Sequence, residues 1–163
     1  MDATEIYVLC RTRSKLIANV FLDSFGKSRT QVAEEYPYPE FADEPEITFK
    51  NPSELIDRLE SDCDSSYSVY WDCHSADEPE QVMLFFTSDG RMIVGIGGPR
   101  NSIETELLKI IAIVDGEYGY VTSGSCPPDS CDEFAEIAKA STLPNVVEGR
   151  LRGLNTDGLA RPS

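Results

Sequence analysis

Apolar and polar positions alternate with two rhythms along the chain. Residues 4–10 read as a strand, with Ile6, Tyr7, Val8 and Leu9 in one short apolar run. Leu16, Ile17, Val20, Phe21 and Phe25 then recur at helical spacing, and Gly26 supplies a stop. The stretch 27–44 breaks regular structure around Tyr36-Pro37-Tyr38-Pro39. After a short strand at 46–50, Asn51-Pro52-Ser53-Glu54 opens a helix whose buried stripe is Leu55, Ile56 and Leu59. Residues 66–73 alternate, placing Tyr67, Val69 and Trp71 on one face. The unbroken run Val82–Phe86 predicts a strand covered on both sides, and Ser88-Asp89-Gly90 turns it into its partner, Met92–Ile96. Together 66–97 predict a three-stranded antiparallel meander.

A third helix is expected from Asn101 as cap with Glu104. Its broad face of Ile103, Leu107, Leu108, Ile110, Ile111 and Val114 predicts the most buried helix. A strand at 117–123 follows, then a capping box of Ser130 and Glu133 ahead of Phe134, Ile137 and Ala138. This order predicts an α+β fold: a mostly antiparallel sheet packed against about four helices. A parallel pair from the first strand–helix–strand stretch, making the sheet mixed, stays open. Periodicity fades beyond Ser141, so one domain is expected over 1–140, with 141–163 as a tail that frays or docks on a partner.

Charge sharpens this picture. Over 163 residues, 29 Asp and Glu face 14 Lys and Arg, a net charge of −15. A surface of that sign disfavours direct binding to nucleic acid, whose phosphates need basic contacts. No apolar run is long enough to span a membrane. The opening MDATEIYVLCRTRSK lacks the order of a signal peptide, which predicts a cytoplasmic protein. The excess is local. From Val32 to Asp64 the acids Glu34, Glu35, Glu40, Asp43, Glu44, Glu46, Glu54, Asp57, Glu60, Asp62 and Asp64 are opposed by Lys50 and Arg58 alone. Asp72, Asp77, Glu78 and Glu80 extend the run. Such a stretch either solubilises the surface or presents a face to a basic protein. On the second reading Glu35, Tyr36, Tyr38, Glu40, Asp43 and Glu44 form the contact, with Asp77, Glu78 and Glu80 nearby if the loops converge, and Tyr36, Tyr38 and Phe41 act as anchors.

Catalytic signatures are sparse. Gly95-Ile96-Gly97-Gly98 precedes a helix but lacks the spacing of a phosphate-binding turn. Ser125 lacks a nucleophile elbow, and His74 is the single histidine. Cys10, Cys63, Cys73, Cys126 and Cys131 are odd in number and irregularly spaced, so reduced thiols are expected. Zinc on Cys73, His74, Cys126 and Cys131 is the metal alternative, although adjacent strand residues point to opposite faces. A carboxylate-dependent enzyme is the other alternative. No metal or cofactor is expected.

The runs Val69-Tyr70-Trp71, Met83–Gly90 and Met92–Ile96 resemble a poorly characterised group of small acidic bacterial proteins. Glu34–Pro39, Pro45, Phe49, Pro127-Pro128 and Glu133-Phe134 fit the same pattern. In size, acidity and layout the chain is similar to immunity proteins of polymorphic-toxin systems. That resemblance implies a non-enzymatic inhibitor that occludes the basic groove of a toxin or nuclease. It supplies no catalytic residues.

Overall fold

The computed structural model describes residues 4–99 and 102–153. The chain starts with strand β1 (Thr4–Cys10) and helix α1 (Lys15–Phe25), followed by β2 (Thr30–Gln31), β3 (Tyr36–Tyr38), β4 (Ile47–Phe49) and α2 (Pro52–Ser61). Next come β5 (Tyr67–Asp72), β6 (Gln81–Phe86), β7 (Met92–Gly98), α3 (Ile103–Val114) and β8 (Gly116–Thr122). The remaining elements are α4 (Cys131–Ala140), β9 (Asn145–Val147) and β10 (Arg150–Arg152). Strands β10-β9-β8-β1-β7-β6-β5-β2 form one sheet, and β3 pairs with β4 in a second. The fold is α+β. The meander β5-β6-β7 is present as expected, and every pairing among the described residues is antiparallel, so the mixed alternative is not adopted.

Alternation along the strands creates two cores. Ile6, Val8, Val69, Trp71, Val82, Leu84, Phe86, Val94 and Ile96 face α1, α2 and α3. Tyr7, Leu9, Met83, Phe85, Ile93 and Tyr120 face Phe134 and Ala138 of α4. The sheet is thus covered on both sides, which explains why β6 carries no polar face.

Local signals act where expected, with four corrections. Ser14, Asn51 and Ser130 cap α1, α2 and α4 through side-chain bonds to Ile17, Ser53 and Glu133 N–H groups. Helix α1, however, buries Ala18, Phe21 and Leu22, while Leu16 and Val20 are exposed. Gly26 ends α1 at φ −134, and its missing side chain matters for close approach: a Cβ there would sit 3.0 Å from Val82 Cγ2. Helix α3 is not more buried than its neighbours, because only Leu107, Ile110 and Val114 meet the sheet and Leu108 is half exposed. Its cap is Ser102, which makes no side-chain bond; the expected Asn101 lies outside the described residues. Finally, the boundary expected at 140 precedes a hairpin, β9–β10, that extends the sheet beyond β8. Residues 154–163 of the expected tail lie outside the described residues.

Candidate partner-binding cleft

The segment between β2 and β4 is held against the open edge of β5 by its own aromatic rings. Tyr36 and Tyr38 are 3% and 2% exposed, and both pack beside Tyr67. The Tyr67 hydroxyl donates to the Pro37 carbonyl at 2.7 Å, and burial raises its pKa. Tyr38 donates its hydroxyl to Asp62 and to Ser65 Oγ, while Arg58 lies over the Tyr38 ring at 4.6 Å. Arg58 also pairs with Glu46 and Asp62. The expected anchors Tyr36 and Tyr38 therefore fasten the loop to the protein's own core. A ring flanked by prolines buries more area against β5 and α2 than an open loop leaves for a partner.

Just past this clasp the chain turns outward. Phe41 adopts φ 67, the left-handed region that an aromatic side chain rarely occupies, and its ring is 91% exposed. Glu40 turns inward, and its carboxylate accepts the Ser68 N–H at 3.2 and 3.3 Å on the edge of β5. That bond satisfies an edge donor left free because β2 reaches only Trp71 and Asp72. Burial pushes the Glu40 carboxyl up to about 7, opposed by the Ser68 bond and reinforced by the charge of Asp129.

Between the loop and the strand edge lies a cleft of about 300 Å³. Val32, Ala33, Pro37, Phe41 and Ala42 give apolar walls, Tyr67 and Tyr70 aromatic ones, and Glu35 and Glu40 bring carboxylates. Tyr36 also lines it, and its buried hydroxyl has no hydrogen-bond partner among the described residues. Glu35 reaches across the surface to Lys50 at 3.0 Å. Asp43 and Glu44 are exposed on the same loop and form no ion pair among the described residues.

The second group of expected residues lies elsewhere. Glu78 accepts from the Ser28 N–H at 3.3 Å and from its hydroxyl, and these bonds lower its pKa. Asp77 accepts from the Ser75 hydroxyl and is lowered for the same reason. Glu80 opens β6, its backbone N–H donating to Gly97 at 3.0 Å. All three line clefts with Pro79, Pro99 or Gly98, not the one at Glu40. Ser68 and Cys73 mark the two ends of β5 and are separated by roughly 17 Å of extended chain. The loops do not converge.

The thiols are also dispersed. Cys73 packs with the core under α1–α3, and Cys131 with the core under α4, on opposite faces of the sheet. Cys131 donates to Asp89 at 3.2 Å, and burial followed by that bond raises its thiol to about 11. His74 Nε2 shares a hydrogen bond with Thr30 Oγ1 at 2.8 Å. All five cysteines are free, and no three His, Cys, Asp or Glu side chains gather as a metal site among the described residues. No helix among them is long and apolar enough to cross a membrane.

Sequence reasoning placed the right loop but missed Ser68, Tyr67 and Tyr70 as the opposite wall. Their alternation marks a strand, and only the strand order shows it to be an edge. No protein-family model and no curated protein matches the chain. Among solved structures, the chain is similar to one from a crystal structure of the toxic C-terminal tip of CdiA from Pseudomonas aeruginosa in complex with immune protein. The TM-score is 0.48 at 16% identity, covering 76% of this chain and 86% of that chain.

Proposed function

We propose that the protein is a non-enzymatic binding module for a basic protein, acting in the cytoplasm as an immunity-like inhibitor of a toxin or nuclease. The observation that carries this reading is Phe41 at the rim of the acid-bearing cleft. Its ring is almost fully exposed and its backbone occupies a region that costs on the order of 1–3 kcal/mol for a bulky residue. Nothing in the protein's own packing repays that conformation. Burying the ring against a partner contributes about 1.5–3 kcal/mol, and Asp43 and Glu44 beside it steer a positively charged surface into place. Acids that meet a nuclease's basic groove exclude nucleic acid by occupying the same charges. Inhibition by this route is occlusion, with no bond made or broken.

Co-expression with basic toxin domains encoded beside the gene, followed by co-purification and a growth assay, tests this reading. A stable complex and rescue of growth, both weakened by Phe41→Ser, are expected. Rescue by catalytic destruction of the toxin, or absence of any complex with the encoded neighbours, would overturn it.

A further inference from the structure

We infer that the cleft at the edge of β5 seats one arginine side chain of the basic partner, with Glu40 as its ion-pair acceptor and Tyr67 and Tyr70 as its aromatic walls. This rests on the binding-module reading and specifies what its contact recognises.

Three features single out this chemistry. The cleft is about 300 Å³, at the lower end of small-molecule sites, so it suits a single side chain. Its walls combine aliphatic residues, Val32, Ala33, Pro37 and Ala42, with two tyrosines and two carboxylates. An arginine has the matching parts in the matching order: an apolar stem, and a planar, weakly hydrated cation that stacks on rings and forks onto a carboxylate. Charge points the same way. Glu40 faces the Tyr36, Tyr67 and Tyr70 hydroxyls and Glu35 around the cleft, while Asp129 adds a further negative charge. Among the described residues Glu40 has no cationic partner; its bond is to the Ser68 N–H, which leaves acceptor capacity on both oxygens. The orphaned Tyr36 hydroxyl is a second polar group in the same wall that the protein itself does not satisfy.

The test uses the full chain, isotopically labelled, at low salt, with amide and carboxyl chemical shifts as the readout. The probes are the capped pentapeptide Gly-Gly-Arg-Gly-Gly, its Leu-centred counterpart, and nona-arginine. The Arg pentapeptide is expected to shift Ser68, Tyr70 and the Glu40 carboxyl, with the Leu peptide leaving them unmoved. Glu40→Gln keeps an oxygen for Ser68 and so folds, and it should weaken the Arg peptide about tenfold, the worth of one charge-assisted bond. Asp77→Asn, in the separate cleft, should not. Equal response to the Leu and Arg peptides overturns the cation assignment. Nona-arginine shifts confined to residues 57–64 or 77–80 overturn the cleft while leaving a basic partner in place. No response to any probe overturns both.

Discussion

Tyr38 lies parallel to Tyr67, with ring planes 5° apart and centroids 6.3 Å from each other. This stack, closed from the other side by Arg58, is what fixes the acidic loop to the sheet edge. Tyr38→Ala should therefore cost about 3–5 kcal/mol, as for other buried aromatic truncations. Tyr38→Phe keeps the stack and loses the bonds to Asp62 and Ser65, and should cost about 1–2 kcal/mol. Urea unfolding checks both. A Phe variant of unchanged stability that binds partner poorly would instead make Tyr38 a contact residue.

Arg13 ties the same region from below. It is 8% exposed and donates to the carbonyls of Leu59, Asp62, Ser65, Thr87 and Arg91, while its guanidinium lies 5.2 Å from the Phe86 ring centre. Lysine offers three donors from one point and cannot reproduce a planar fork. Arg13→Lys should cost about 2–3 kcal/mol, and Arg13→Met more, since carbonyls of α2's end and of the β6–β7 turn lose their donor together. Chemical denaturation would show this as a lower midpoint. A near-neutral Arg13→Lys would mean that water substitutes freely at this site.

Elements with strong local signals were legible in the sequence, and those decided by distant partners were not. The meander is written in the alternation of 67–72, the apolar run of 82–86 and Gly90, which takes φ 92 in the turn. The face of α1 was misread because two helical stripes overlap there. Small Ala18 and Leu22 win over Leu16 and Val20 through contacts that only the assembled core defines. Strands β9 and β10 are three residues each and carry no periodicity; their pairing with β8 supplies what local pattern lacks. The candidate site divides the same way. The acidic run was visible, but its sorting was not. Glu78 is consumed by Ser28 and Asp62 by Tyr38, partners many residues away, whereas Asp43 and Glu44 remain at the surface.

Glu40 makes stability depend on pH. Its carboxyl is raised by burial from 4.5 to about 7 in the folded chain, so folding favours the protonated form. The folded state then holds more protons than the unfolded state between those values, and stability falls as pH rises through that window. The loss should be about 1–2 kcal/mol, less than a unit-for-unit conversion because the carboxylate is partly open to water. Glu40→Gln should remove this slope and be the more stable protein at pH 8. Denaturation midpoints at pH 5 and pH 8 for both proteins measure it; parallel curves would place the Glu40 titration at its ordinary value.

Charge reversal separates steering from structure. Asp43 and Glu44 are exposed, and Glu35 engages Lys50 in an exposed pair of the kind worth at most about 1 kcal/mol. Replacing all three with lysine should shift stability by less than about 1 kcal/mol while changing the local charge by six units. If this loop guides a basic partner, the association rate at low salt should drop by an order of magnitude or more. The dissociation rate should change less, because these side chains stand at the rim and not in the cleft. Added salt shortens the Debye length from about 30 Å at 0.01 M to about 3 Å at 1 M, so the association rates of the two proteins should converge as salt rises. Stopped-flow association with a co-purified partner, at several ionic strengths, reads all of this. Rates that match at low salt would leave the loop's charge with a solubilising role and move the contact to another face.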